Sequence, residues 1–466
     1  MPISDILKKW AVSRLAKQLP YASKDNLVKL AGMVEKMAIL PEDKERARVV
    51  GEKFKAEHPS LIYAKEILGR LNPKCRDKFS VNLVVNHLAI GNGIRKKFAE
   101  KNGFLPPSTI LISPSMKCNL RCQGCYAADY EKETDMEPSV LDKIVKEGKE
   151  MGTFFYTILG GEPFIYPHLL DFIARHPDCY FQIFTNGTLL DSEKINRLVK
   201  IGNAALMFSL EGFEKETNER RAPGVYGKVM DAMEHAREAG LLFGYSCYVT
   251  KNNVEQIVSD EFIDLMIQKG ALIGWYFLCM PVGKKPSVEF MPTPQQRLYL
   301  KMRRDHIRNA KPIFIVDFWN DAPYVRGCIA GRQFIHVNSR GDIEPCIFIH
   351  FATHNIKNSS ISEALKSPFF RALKDRQPYD DNLYLPCTII DNPEVLRETV
   401  ERTNPYPTHQ GASTLINDPE IRGHLDSYAR EVRSLYNKVW EEDIKRGDWK
   451  LARKHTAEKR MGIRKE

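Results

Sequence analysis

The stretch from Ile112 to Tyr130, ISPSMKCNLRCQGCYAADY, carries three cysteines, Cys118, Cys122 and Cys125, at the spacing C-x3-C-x2-C. They lie in a loop just after an apolar run, Thr109–Ser113, that reads as a strand. Three thiolates this close in an irregular loop can converge on one soft metal centre, and thiolates select iron–sulfur clusters or zinc. Zinc takes four ligands, or three and an open position that is usually catalytic. A cluster held by three cysteines leaves one iron free to bind something else. On the bare cysteines, a structural zinc knuckle with a fourth ligand elsewhere stays open as the other reading.

Downstream of this loop, strand-like runs recur at Phe154–Leu159, Tyr180–Thr185, Ala204–Ser209, Phe243–Val249 and Trp275–Met280. Helix-like segments separate them at Ser139–Glu150, His168–Ala174, Ser192–Ile201, Val225–Ala239 and Ser259–Lys269. Six strands alternating with helices predict an α/β fold with a parallel sheet or partial barrel, in which ligands bind at the carboxyl ends of the strands. Upstream, residues 1–105 read as a helical region, with stretches at Ile3–Leu19, Asp25–Ala38, Pro41–Glu57 and Ser60–Leu71. Beyond residue 292 the texture changes again. Thr293 is a plausible N-cap, and residues 313–390 combine short strands, turns and a helix at Ile361–Leu373. The last segment, 393–466, is mostly helix-like and ends in a basic tail. Four units follow, with bounds 1–105, 106–292, 293–392 and 393–466.

The chain's 466 residues suit that number of units. With 43% hydrophobic and 27% charged residues, disorder, collagen and coiled coil are excluded as wholesale descriptions. The net charge of +10 is unevenly placed: residues 1–105 and 450–466 together hold 28 of the 69 basic and 13 of the 59 acidic side chains, leaving 41 against 46 in between. The N-terminus, MPISDILKKW, puts charges where a secretory signal needs an apolar run, so a reducing, cytoplasmic compartment is expected. There, clustered cysteines mean metal or redox chemistry more often than disulfides. The most apolar uncharged stretch, Gly270–Gly283, is fourteen residues long and reads as a buried strand, short of the ~18–20 that span a bilayer.

Further motifs stand at the strand ends. The second strand runs into Leu159-Gly160-Gly161-Glu162-Pro163, the third closes in Thr185-Asn186-Gly187-Thr188, the fourth in Ser209-Leu210-Glu211-Gly212, and Arg220-Arg221 follows. Glycines at a strand end let backbone approach a ligand closely, and a neighbouring carboxylate can accept from an ammonium group. C-x3-C-x2-C after the first strand, followed by GGEP at the end of the second, resembles the radical S-adenosylmethionine (SAM) superfamily. The resemblance covers about residues 106–290 and implies a partial (β/α)6 TIM-like barrel. It implies a 4Fe–4S cluster on Cys118, Cys122 and Cys125 whose open iron is chelated by SAM, with Gly160, Gly161, Glu162 and Pro163 at the cofactor. It further implies Asn186 and Ser209 near the ribose and Arg221 at the SAM carboxylate. The family often has an aromatic residue just before the third cysteine; this chain has Gly124 there, and Tyr126 is the candidate for adenine stacking instead.

In GCIAGRQFIHVNSRGDIEPCIFIH a hairpin-like turn, VNSRGDIEP, would bring Cys328 and Cys346 together across two strands, and Cys387 follows in LYLPCTIID. This segment resembles the SPASM or twitch domain appended to many radical SAM enzymes and implies a second iron–sulfur cluster on Cys328, Cys346 and Cys387, in a C-terminal α+β unit. His336, His350 and His354 are its nearby candidates for a fourth ligand. Cys75, Cys179, Cys247 and Cys279 have no partner motif and read as structural.

The resemblance implies an enzyme that cleaves SAM to a 5′-deoxyadenosyl radical, takes hydrogen from an unactivated carbon, and draws electrons from a donor such as flavodoxin or ferredoxin. For the substrate, the basic, amphipathic ends point weakly to a membrane lipid or other hydrophobic molecule and to peripheral membrane contact. A ribosomally made peptide is the alternative, although residues 1–105 show no leader-binding hairpin. A non-catalytic iron–sulfur or zinc scaffold is a further one. No nucleic-acid recognition module is visible.

Overall fold

The computed structural model describes residues 23–38, 41–127, 135–283 and 286–461. The expected helix Ile3–Leu19 and the last five residues of the basic tail lie outside these, so the charged ends behind the membrane expectation are only partly described. Among the described residues no helix is long and apolar enough to cross a membrane.

Six parallel strands stand side by side in chain order: β1 (Thr109–Ile112), β2 (Phe155–Ile158), β3 (Tyr180–Thr185), β4 (Ala204–Leu210), β5 (Phe243–Val249) and β6 (Ile273–Leu278). All six coincide with the runs read from sequence. The crossover helices are set by local signals. Ser192–Ile201 starts on the Asp191 cap and stops at left-handed Gly202; Asp260–Lys269 starts on Ser259 and stops at Gly270. Alternate strand residues face the helices and make the main core, including Phe181, Ile183, Tyr245 and Tyr276. The others face inward. That is why β6, expected as a fully buried strand, alternates instead: Gly274, Tyr276 and Leu278 are buried while Trp275 and Phe277 line the barrel cavity.

The sheet does not end at six. β7 (Phe314–Asp317) adds beside β6, and β8 (Phe334–Val337) adds beside β1, both parallel, so the segment after residue 292 occupies both edges of the open barrel. β9 (Ile343–Glu344) returns antiparallel to β8 through the expected hairpin. The free edge of β7 is blunted: Arg308 donates to Ile315 O, and Asp317 N–H donates to Asp321 Oδ2 at 3.0 Å. The expected helix Ile361–Leu373 is two, Ile361–Lys366 and Pro368–Arg376. Ser367, extended before Pro368, ends the first and caps the second.

The described residues of the N-terminal region are mostly helical, with further helices at Pro73–Phe79 and Asn92–Asn102 joined by a π-helical run, Ser80–Gly91, that the sequence does not announce. Leu68 and Leu71 pack on Tyr180, Leu242 and Leu272, at or just before the starts of β3, β5 and β6, so this region closes the barrel floor. At the other end of the chain, the 27-residue helix Pro419–Lys445 packs on Pro294–Ala310, with Arg297 lying 5.1 Å over the Tyr436 ring.

Candidate active site: two cysteine sets on one chamber

The cysteine loop folds back onto the ends of β2 and β3. Gly161 N–H donates to Ser115 O (3.1 Å) and Glu162 N–H to Lys117 O (2.8 Å). A Cβ at Gly160, which sits at φ 123°, would lie 2.3 Å from Ser115 O, and one at Gly161 would lie 2.1 Å from Lys117 O. The loop's own backbone already requires both glycines, ahead of any ligand.

Glu162 is fully buried. Its carboxylate accepts from Thr185 Oγ1 (2.7 Å), Asn186 N–H (2.7 Å) and Phe164 N–H (3.1 Å). Burial pushes its pKa up, opposed by those donors and by Arg221. The carboxylate thus ties β2 to β3 behind the loop, and Pro163 begins the short turn that follows. Asn186 in turn reaches the loop: its Nδ2 donates to Asn119 Oδ1 (2.9 Å) and lies 3.9 Å from Cys118 Sγ.

Arg220 and Arg221 share the buried Glu211 carboxylate at 2.5 and 2.6 Å. Both guanidiniums thereby stand beside the cysteine loop, and Arg221 also acts on the Glu162 carboxylate. Arg220 also donates to Gln123 O (3.0 Å) and lies 4.1 Å over the Tyr248 ring, whose hydroxyl donates to Cys279 Sγ (2.9 Å). Arg220 and Tyr248 therefore clamp the loop. Sequence reasoning gave a role to Arg221 alone; the only signal for Arg220 was the adjacent pair. Ser209 stands half-buried at the end of β4, with no side-chain partner among the described residues. Tyr126 makes a long bond to Gly160 O (3.5 Å), and its ring meets Phe348 edge-on at 5.9 Å, leaning toward the second cysteine set.

That second set is assembled from three segments. Cys328 lies upstream of β8 and not on the hairpin, Cys346 lies just past β9, and Cys387 lies near the end of a loop that precedes helix Pro393–Thr403. Gly331 N–H donates to Pro345 O (2.9 Å) and so brings the first two segments together. Asp391 accepts from Cys387 N–H (3.0 Å) and pairs with Arg297 (2.5 Å), both side chains fully buried.

Four of the six cysteines accept an N–H from the residue two positions on: Leu120 to Cys118 (3.4 Å), Ala330 to Cys328 (3.4 Å), Phe348 to Cys346 (3.5 Å) and Ile389 to Cys387 (3.4 Å). Such donors favour thiolate, while burial opposes it. Burial pushes Cys328 up to about 11, Cys387 to about 12, and Cys346 well above the usual thiol range. A bound metal centre supplies the positive charge that resolves this conflict. In both sets the donors present therefore fit an iron–sulfur cluster. Among the described residues, no three His, Cys, Asp or Glu side chains are already drawn together as the shell of a metal ion.

The three candidate histidines have bonds elsewhere. His336 spends both ring nitrogens, on Ser113 Oγ (2.7 Å) and Glu344 Oε2 (2.6 Å). His350 bonds Ile347 O (2.7 Å) and His409, and His354 bonds Thr353 Oγ1 (3.0 Å). Both cysteine sets, with Tyr126, Gly160, Asn186, Ser209 and Arg221, border one cavity of about 1710 Å³ that occupies the barrel. The four remaining cysteines are buried, as expected of structural residues.

Residues 112–259 match the radical SAM superfamily, and residues 328–388 match the SPASM iron–sulfur cluster-binding domain. The chain is 25% identical over 303 residues to the AdoMet-dependent heme synthase of Methanosarcina barkeri, covering 58% of this chain and 85% of that protein. It is 26% identical over 296 residues to mycofactocin maturase MftC of Mycobacterium tuberculosis (58% and 75%). It is 24% identical over 262 residues to the PqqA peptide cyclase of Granulibacter bethesdensis (52% and 68%). Among solved structures, Streptococcus suis SuiB bound to S-adenosylmethionine shares the fold at TM-score 0.51 and 20% identity, covering 72% of this chain and 79% of that one.

Proposed function

The chain belongs to the radical SAM enzymes that carry a SPASM-type iron–sulfur domain, and from that premise we propose that it is a maturase acting on a peptide. The observation that carries the reading is the single chamber onto which both cysteine sets open. When bound, SAM and a reduced four-iron cluster supply a 5′-deoxyadenosyl radical that can take hydrogen from an unactivated carbon, and the SPASM cluster supplies an electron outlet or a substrate anchor.

Cys118, Cys122 and Cys125 hold the first cluster, and Cys328, Cys346 and Cys387 the second. The Arg221 guanidinium, which borders the cavity, attracts the SAM carboxylate, and Ser209 offers a free hydroxyl to the ribose. Glu162, Asn186, Arg220 and Tyr248 orient the cysteine loop. A low-potential donor such as flavodoxin or ferredoxin provides the electron.

Two relatives are named as a maturase and as a peptide cyclase, and this supports a peptide over a lipid. The chamber supports it too. Gln182 on the inner wall has no side-chain partner among the described residues. Covering it with an acyl chain would leave a buried amide unsatisfied, at a cost of about 1–3 kcal/mol.

Anaerobic reconstitution tests the reading. About eight irons, as two four-iron clusters require, together with 5′-deoxyadenosine release on reduction, are expected. Tight zinc binding without SAM cleavage would overturn it. Incubation with candidate peptides encoded beside this gene should then give a product lighter by two hydrogens or carrying a new cross-link, read by mass spectrometry.

A further inference from the structure

The inner wall of the barrel is almost free of charge. The inward positions of its strands include Thr109, Phe155, Thr157, Phe184, Phe277 and Val316. Aromatic rings dominate: Phe184 lies edge-on to both Trp275 (6.2 Å) and Phe277 (5.7 Å), and Phe277 meets Phe318 at 5.9 Å. The ionisable side chains that border the same cavity, such as Lys53, Arg308 and Asp321, come from the surrounding helices and loops.

Within this apolar wall stand polar groups that the protein does not use. Gln182 is only 6% exposed, lines the cavity, and makes no side-chain hydrogen bond among the described residues. Thr157, its register partner on β2, is also 6% exposed and unbonded through its hydroxyl. Thr109 Oγ1 and Trp275 Nε1 are buried without partners on the same wall. Tyr63, from helix Pro59–Arg70, brings a further unbonded phenol to the floor. The Gln182 carboxamide and the Thr157 hydroxyl border the cavity and are free to bond a ligand there, whereas the Thr109 and Trp275 atoms are sealed behind the wall.

We infer that the barrel interior is a binding subsite for an uncharged aromatic amide of the substrate. The Gln182 carboxamide presents a donor and an acceptor in one plane, which an amide matches at two points and a carboxylate cannot. No Lys or Arg stands on the strands' inward faces, so the wall around Gln182 offers a carboxylate no direct ion pair. Phe184, Phe277 and Trp275 offer edges and faces to a ring. Gln182 precedes Asn186 by four residues, roughly 13 Å along an extended strand. The subsite thus lies two side-chain layers beneath Asn186, with Phe184 between them, and holds a part of the substrate distant from the reacting carbon. This inference rests on the peptide-maturase reading, because it treats the amide as a side-chain carboxamide of a peptide, whose N–H and C=O share one edge as those of a trans backbone amide do not.

The test uses reconstituted holoenzyme with SAM and two probes of the same shape, 3-phenylpropanamide and 3-phenylpropanoate, followed by saturation-transfer NMR. Wild type should bind the amide at least tenfold more tightly than the carboxylate. Gln182→Leu should erase that preference, and Thr157→Val should reduce it, with iron content reporting that each variant has folded. Equal binding of the two probes by wild type, or no binding of either, overturns the inference without need of a variant. So does an undiminished amide preference in folded Gln182→Leu. Octanoate competing as well as the amide would assign the chamber to acyl chains and overturn it as well. 5′-Deoxyadenosine measured in the same samples separates the two readings: failure to cleave SAM refutes the enzyme assignment, whereas failed discrimination between the probes refutes only the subsite.

Discussion

The two cysteine sets are built in opposite ways. Cys118, Cys122 and Cys125 fall within one short loop, half-exposed to the chamber, and reach each other through local chain geometry. Cys328, Cys346 and Cys387 come from three segments, brought together by a hairpin, a loop and a buried ion pair. The first set depends on its neighbours for orientation, through Glu162, Asn186 and Arg220. The second depends on them for existence. Damage to the packing of the C-terminal half should therefore dismantle the second set and spare the first, whereas no comparable packing change should remove the first without touching its own loop.

The sharpest separation comes from the ligands themselves. Cys118→Ala should abolish 5′-deoxyadenosine formation, while Cys387→Ala should still cleave SAM but fail to complete substrate turnover. Each variant should keep about four of the roughly eight irons. Loss of SAM cleavage in both would break the division of labour. Next in size is Arg297→Met. It strands Asp391, the acceptor of the Cys387 N–H, as an uncompensated buried carboxylate and removes the Arg297 bond to Tyr384 O in the same loop, at a cost of about 3–5 kcal/mol. Denaturant unfolding and iron counting should show the second cluster lost first. A smaller effect is expected from Ser113→Ala, which removes one hydrogen bond from the buried His336–Glu344 pair joining β1 to β8 and β9, about 1–3 kcal/mol by thermal unfolding.

The same contrast decides what could be read from the sequence. The first loop was legible because its geometry is short-range: spacing, a preceding strand and a following GGEP suffice. The six strands were legible because each is a compact apolar run between capped helices. What escaped was long-range. Nothing in Phe314–Asp317 or Phe334–Val337 says that these strands complete the two edges of a barrel begun over a hundred residues earlier. Nothing in Gly160-Gly161 distinguishes a ligand cradle from close packing on Ser115 and Lys117, and the structure supplies the second reason. Gln182 sits in an ordinary strand, YFQIFT, and only the curved sheet, which turns it toward the cavity, leaves its carboxamide without a partner among the described residues.

Acid should widen the difference between the two sets. His350 and His409 lie ring to ring, buried beside the strands β10 (Phe351–Ala352) and β11 (Tyr406–Pro407) that follow Cys346. Burial holds His350 well below the usual imidazole range, with the charge of His409 adding to it, and lowers His409 to about 4, with Arg340 opposing its protonation. Both are therefore neutral in the fold at pH 6.5, near where an unfolded histidine begins to charge. As pH falls from 6.5 toward 4 the opened chain takes up protons that the folded one refuses, so stability present above pH 6.5 is lost, by up to about 1.4 kcal/mol per pH unit for each ring. The cysteine loop 112–127 contains no histidine and has no such term of its own. Hydrogen exchange at pH 7 and pH 5, corrected for intrinsic rates, should show protection falling more across 343–356 than across β4 and β5. His409→Gln should flatten that dependence. A uniform loss across both regions would mean that the two halves open as one unit, and the independence of the second set would go with it.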